Sequence, residues 1–164
     1  MKRTQLHLLL LAVCGALVYA NALLGPFIFD DEPAIERNPA IRQLWPPHWA
    51  LPSSGLHAAT NSRPLTSFTL ALNYALGGLA VEGYHLVNIA VHILCGLFLY
   101  GVVRRLLGQI DALAPRASGL ALASALLWLV HPLNSQVVNY TIQRSESLMA
   151  LCYLGTLYCV LRGV

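Results

Sequence analysis

The chain has 164 residues, of which 57% are apolar and 10% charged, with a formal net charge of +3. A soluble domain of this size folded around one core would leave much of that apolar surface facing water, so the composition points to a membrane protein. The small charge, with no Arg/Lys patch interleaved with aromatics, excludes a nucleic-acid surface, and the four cysteines (Cys14, Cys95, Cys152, Cys159) lie in apolar runs where they read as small packing residues rather than a disulfide framework or metal site.

Lys2 and Arg3 precede an uncharged stretch from Thr4 to Phe29. At ~1.5 Å per residue it exceeds the ~30 Å hydrocarbon core, and the first candidate span is placed at about 6–24. A rival reading is a cleaved secretory signal with Ala20-Asn21-Ala22 as the cleavage site. The continuation of the apolar run to Phe29, and the further spans downstream, favour an anchor. The run ends abruptly on three adjacent acids, Asp30, Asp31 and Glu32. Charges beside the hydrocarbon region mark either the membrane boundary or a functional site.

Residues 25–84 form a loop richer in Pro, Ser, Asn and charge. Glu32-Pro33, Asn38-Pro39 and Ser62-Arg63-Pro64 each place a polar residue before a proline suited to a first helical position, which predicts short helices here. A helix over Pro64 to Leu76 gathers Leu65, Phe68, Leu72, Ala75 and Leu76 on one side and Thr66, Thr69 and Asn73 on another. Two placements suit it: at the membrane surface, with Trp45, Trp49 and Tyr74 as interfacial aromatics, or packed on the spans.

Gly77-Gly78 and Gly83 lead into a second span at about 85–107, closed by Arg104-Arg105. His85, Asn88 and His92 share one face of it at helical spacing, so that face points into the protein. Interhelical hydrogen bonding is its expected role; a two-histidine metal site lacks a third ligand at helical spacing. A third apolar segment at about 118–131 is short and stops at His131-Pro132. The amphipathic stretch from Asn134 to Glu146 that follows is expected to line a cavity, because lipid tolerates no unpaired backbone. A fourth span at about 146–162 ends at Arg162. The last four residues follow this segment directly, which reads as an N-terminal piece of a longer protein.

Lys2, Arg3, Arg104, Arg105, Arg116 and Arg162 all fall on the side that alternation through four spans makes common, which the positive-inside rule assigns to the cytoplasm. The N-terminus is then cytoplasmic. The acids of the first loop and the turn from His131 to Glu146 share the opposite face. Acids there suit two chemistries, a general base for an incoming hydroxyl or oxygen ligands for a divalent cation held by Asp30 and Asp31. They also suit a plain helix cap at the interface.

The series Phe29-Asp30-Asp31-Glu32, Asn38-Pro39, Arg63-Pro64-Leu65, Leu72-Asn73-Tyr74 with Gly77-Gly78, Gly83-Tyr84-His85 with Asn88 and His92, His131-Pro132, and Gln143-Arg144 with Glu146 and Leu148 resembles one family closely. It is similar to the N-terminal membrane region of the transmembrane and tetratricopeptide-repeat O-mannosyltransferases and their bacterial relatives, within the GT-C glycosyltransferase superfamily. The resemblance implies an all-α integral membrane protein carrying part of a GT-C fold, with about four transmembrane helices and short interfacial helices in the first non-cytoplasmic loop. It implies an inverting glycosyltransferase, metal-dependent or metal-independent, that uses a polyprenyl-phosphate-linked sugar and an unidentified hydroxyl acceptor, a protein among the candidates. On that resemblance Asp30 and Asp31 are the diacidic catalytic pair, Arg144 is the first choice for the donor phosphate and Arg63 the second, and His131 and Glu146 line the site.

Two departures stand out. An acid shortly after His-Pro, common in relatives, is replaced here by Gln136, and no 34-residue repeat is visible. A 164-residue piece with four spans is expected to hold half a site and to be inactive alone. The compact spans point to a bacterial inner membrane. The alternative class is a non-catalytic membrane scaffold or transporter fragment, against which stands the absence of any charge well inside a span.

Overall fold

The computed structural model describes residues 3–50 and 63–163, all of them in helices, turns and connecting loops with no strand among them. Lys2, the Ser62 part of the third cap and the rest of 51–62 lie outside the described residues. Six α-helices form the frame: α1 (Arg3–Val18), α2 (Pro64–Gly77), α3 (Val81–Gly108), α4 (Ala117–Leu129), α5 (Ser135–Asn139) and α6 (Arg144–Gly163).

Helix α3 is the central element, with α1 and α4 on one side and α6 on another. Its 28 residues span roughly 42 Å at the α-helical rise, beyond the hydrocarbon thickness. Small residues let its neighbours approach. On α1, His7, Leu11 and Gly15 recur every four residues as the buried face, and on α4 the buried stripe is Ala117, Ala121, Ala125 and Leu129. Leu11, Tyr100, Ala121, Ala125 and Leu129 close into one core cluster. A Cβ on Gly15 would lie 2.7 Å from Ile93 Cγ1, and one on Gly96 would lie 2.9 Å from Leu129 Cδ1. Such close backbone approach lets these helices pack tightly. A hydrogen-bonded triangle joins the same helices: His7 Nδ1, Tyr100 Oη and Ser118 Oγ lie 3.2 Å from one another.

The α-helix of the first apolar run ends at Val18, earlier than the expected boundary at 24, and tightens into a 3-10 turn over Ala20–Leu24. Tyr19 turns inward there, donating its hydroxyl to Leu129 O at 3.1 Å, and Gly25 is extended because Pro26 disfavours helix in the residue before it. The segment after α4 breaks at His131-Pro132. A 3-10 turn (Pro132–Asn134) and the short α5 continue it at a bend of 50°. Among the described residues α3 is the one helix long and apolar enough to cross a membrane; α4 and α5 taken with their flanking turns make a second, bent candidate, and α1 is a shorter apolar helix.

Helix α2 buries a mixed face, Thr66, Ser67 and Asn73 beside Leu70 and Ala71, whereas Leu65, Phe68, Leu72 and Leu76 are exposed. Trp49 packs on Phe68 at 5.1 Å between ring centroids, and Arg42 donates to the Tyr74 hydroxyl at 2.8 Å while lying over its ring. The cysteines divide: Cys95 is buried as a packing residue, while Cys152 and Cys159 face outward from α6. The packing expectation for those two is therefore corrected, since both are exposed.

The contact at Gly96 gives a direct check of the packing. Replacing Gly96 with valine forces Leu129 aside, and thermal unfolding of the purified protein in detergent is expected to show a loss of about 1–3 kcal/mol.

Candidate functional site

The acidic segment and the turn before α6 meet at one end of the helices. The three acids, adjacent in sequence, have three different environments. Asp31 is fully buried. Its Oδ1 accepts from the Ile142 backbone N–H at 2.7 Å, and its Oδ2 accepts from Thr141 and Ile28 N–H, each at 3.3 Å. Glu32 is exposed and ion-paired with Arg37. Asp30 is exposed, and its backbone N–H donates to the Tyr140 hydroxyl at 2.9 Å. The carboxylate of Asp30 is thus the one of the three that faces solvent without a salt-bridge partner among the described residues.

The backbone enforces this division. Phe29 sits at φ 49°, a conformation an aromatic residue rarely adopts. Bonds on either side hold it there: Asp31 N–H to Ile28 O at 2.9 Å, Glu32 N–H to Phe29 O at 3.3 Å, and an edge-on contact of its ring with Tyr140 at 6.2 Å. Strain of this kind persists only where the surroundings over-determine it, and its usual setting is a functional segment. Beyond it Glu32–Glu36 forms a π-helical turn with Pro33 at its start, and Asn38 Oδ1 caps the next turn by accepting from Ala40 N–H at 3.0 Å.

Burial pushes the Asp31 carboxyl above its usual range, chiefly by desolvation. The N–H groups of Ile142, Ile28 and Thr141 and the nearby His85 pull it back in part. His85 Nε2 is paired with Gly25 O at 2.9 Å, which ties α3 to the segment entering the acids. The other residues of that α3 face act alike: Asn88 donates to Val138 O and Thr141 O, both at 3.3 Å, and His92 Nε2 lies 2.9 Å from Leu129 O. The face expected to point inward therefore holds the broken segment between α4 and α6, whose turns leave backbone carbonyls in need of donors.

Arg144, the first residue of α6, is also fully buried. Its Nε donates to Asn88 Oδ1 at 2.7 Å, one terminal nitrogen to Asn73 Oδ1 at 2.7 Å and Thr69 Oγ1 at 3.4 Å, and the other to Tyr84 O at 2.9 Å. Neutral oxygens from α2 and α3 thus occupy all three of its nitrogens. Arg63 precedes α2 and is exposed; it donates to Ser145 Oγ at 2.8 Å. Arg63, Arg144 and Asp31 converge on residues 141–145. His131 is exposed and caps its own turn by accepting from Leu133 N–H at 3.2 Å, and Glu146 lines a separate cavity of about 200 Å³ with His92, Trp128 and Asn134.

For a divalent cation the acidic pair offers one carboxylate, because both Asp31 oxygens are occupied by N–H donors and Glu32 by Arg37. The described residues contain no group of three or more His, Cys, Asp or Glu that could hold a metal ion. Sequence reasoning overlooked Tyr140 and the asparagines that hold Arg144. Asn73 and Asn88 were each visible as the polar member of a helix face, which was the available signal.

An all-helical, apolar bundle with a strained acidic segment beside a buried arginine is the class that these features define. Over most of its length the chain is similar to proteins named protein O-mannosyl-transferases. It is 30% identical over 99% of its length to Tmtc3 of Drosophila melanogaster, 33% identical over 88% to TMTC1 of Homo sapiens and 34% identical over 83% to TMTC4 of Homo sapiens, all named protein O-mannosyl-transferases. The chain spans about a fifth of the length of these relatives, 20%, 17% and 20% in turn. No family model and no solved structure matches it.

Two substitutions probe the site's construction. Arg144→Lys replaces a planar fork with a point charge unable to keep all its present partners; a loss of about 2 kcal/mol or more in thermal or denaturant unfolding is expected. Asp31→Asn puts an amide N–H₂ against backbone N–H donors and costs about 1–3 kcal/mol near neutral pH. Because burial raises the Asp31 carboxyl, the folded state holds its proton to higher pH than the unfolded chain does, so this group's contribution favours folding at acid pH and declines as pH rises through the folded-state value. Melting curves against pH should show that decline in the parent and lack it in Asp31→Asn.

Proposed function

We propose that this chain carries the acidic half of the active site of an inverting glycosyltransferase, similar to the protein O-mannosyltransferases, that takes its sugar from a polyprenyl-phosphate donor at the non-cytoplasmic membrane face. The membrane arrangement in this reading is multi-pass: α1, α3, the bent α4–α5 segment and α6 cross, with the N-terminus in the cytoplasm. The arginines at Arg104, Arg105, Arg116 and Arg162 support that orientation by the positive-inside rule. The outward apolar face of α2, with Leu65, Phe68, Leu72 and Leu76, suits a helix resting in the non-cytoplasmic interface. The names of the relatives support the transferase class, and an acceptor protein follows the same analogy.

One observation carries the mechanism: of two adjacent aspartates, one is locked inside by three backbone N–H groups and the other is presented to solvent. Asp30 is the base. As the acceptor oxygen bonds to the anomeric carbon, its proton passes to the Asp30 carboxylate. The bond from that carbon to the donor phosphate oxygen breaks on the opposite face, and the polyprenyl phosphate leaves with the electron pair. The same carboxylate stabilises positive charge developing on the sugar ring. Asp31 positions Asp30 by fixing the backbone beneath it. The donor phosphate falls to Arg63, whose guanidinium is exposed, whereas the fork of Arg144 is engaged by Asn73, Asn88 and Tyr84. His131 and Glu146 take no step in this reading, since His131 caps its own turn and Glu146 faces a separate cavity.

The test is sugar transfer from radiolabelled polyprenyl-phosphate mannose in membranes holding the full natural chain. Asp30→Asn keeps the backbone bond to Tyr140 and, in the amide Oδ1, an acceptor for the Tyr140 hydroxyl that the Asp30 carboxylate also meets, so its melting temperature should stay close to the parent's. Its turnover is expected to fall about 10²–10⁴-fold, the usual contribution of a general base. Full activity in Asp30→Asn would overturn the assignment of the base, and no transfer by the parent chain would favour a scaffold.

A further inference from the structure

At the end of the bundle opposite the acids, a groove of about 900 Å³ opens between α1, α3, α4 and α6. Its walls are of two kinds. Leu8 of α1, Leu94, Leu97 and Phe98 of α3 and Leu161 of α6 make an apolar trough along the helices. Arg104 and Arg105 stand on the α3 side, close to the helix end, with the polar groups of Thr4, Gln109 and Ser118 around them. No acidic residue lines the groove, and neither arginine has a salt-bridge partner among the described residues. Arg105 is held over the Tyr158 ring at 5.2 Å, so its guanidinium is oriented rather than free to sweep through solvent. Gly101 is what brings that ring so close: a Cβ there would lie 2.6 Å from Tyr158 Cε2.

We infer that this groove binds one anionic phospholipid, its headgroup phosphate on Arg104 and Arg105 and an acyl chain along Leu94, Leu97 and Phe98. Two arginines, neighbours in sequence, lining one groove and without a salt-bridge partner among the described residues, suit a phosphate, since each offers a planar fork of donors. A free phosphate would leave the apolar trough exposed, and a neutral lipid would leave the charges unanswered. An anionic amphiphile meets both. Assignment to the cytoplasmic leaflet rests on the orientation proposed above; the groove's chemistry does not. The site lies at the other end of α3 from Asp30, so it is separate from the transfer reaction.

Native mass spectrometry of the full natural chain in detergent, titrated with phosphatidylglycerol and with phosphatidylcholine, tests the inference. Phosphatidylglycerol should bind more tightly, and Arg104→Gln with Arg105→Gln should weaken it about thirtyfold, the effect of two arginines near a lipid surface, while weakening phosphatidylcholine, whose phosphate is offset by its own choline cation, by less. Leu94→Trp, at a half-exposed wall position, should weaken retention of phosphatidylglycerol by obstructing the acyl trough without touching the charges. Equal binding of the two lipids, or phosphatidylglycerol binding indifferent to the double substitution, overturns the site; so does a groove that takes no lipid because another part of the protein fills it. Orientation is read separately, from labelling of Asp111→Cys in a background lacking the native cysteines by a membrane-impermeant maleimide. Labelling from the non-cytoplasmic side would overturn the leaflet assignment and leave the lipid titration to decide the site.

Discussion

The guanidinium of Arg144 is the constraint on which the acidic end of the molecule depends. A buried charge without a carboxylate against it is expensive unless its donors are met, and here neutral oxygens on α2 and α3 meet them. This one side chain ties α2 to α3 and the start of α6, beside the Arg42–Tyr74 and Arg63–Ser145 hydrogen bonds and the packing of Leu70 and Ala71 on the first loop. Asp31 acts in parallel two residues earlier, binding the N–H groups of Thr141 and Ile142. Together they set residues 141–145 between the first loop and α3, with Asn88 bridging the two by donating to Thr141 O and accepting from Arg144.

The broken segment after α4 is the reason such anchors are needed. His131-Pro132 ends the helix, and the short turns that follow cannot satisfy their own carbonyls. Tyr19, Asn88, His92 and Asn134 supply the missing donors, reaching Leu129, Val138, Thr141 and Trp128. An irregular backbone at depth is tolerated because side chains from neighbouring helices replace the ladder that the proline removed.

Much of this frame was legible in the residues. Apolar runs bounded by arginines, prolines placed after polar caps, and the inward spacing of His85, Asn88 and His92 are local signals, and local geometry decides them. What escaped was set by contacts across the chain. Which of Asp30 and Asp31 goes inside is decided by N–H groups 110 and 111 residues away, and no property of the acidic triplet distinguishes the two. Arg144 was noticed for its charge, but its partners lie 56 to 75 positions earlier, so a side chain that reads as a ligand for phosphate is found spending its donors internally. The left-handed Phe29 was equally hidden, since nothing about an aromatic residue announces a positive φ.

The mixed buried face of α2 changes what the helix can tolerate. In a soluble amphipathic helix the outward positions accept almost any polar residue and the inward ones demand shape. Here Leu65, Leu72 and Leu76 look outward and can be exchanged among apolar residues of differing size, Phe68 is held partly by its contact with Trp49, and Asn73, facing Arg144, must keep its hydrogen-bonding atoms. Divergence along this segment should therefore leave the small polar side unchanged while the greasy side drifts. A water-soluble redesign would begin by repainting Leu65, Leu72 and Leu76 and leave Asn73 alone.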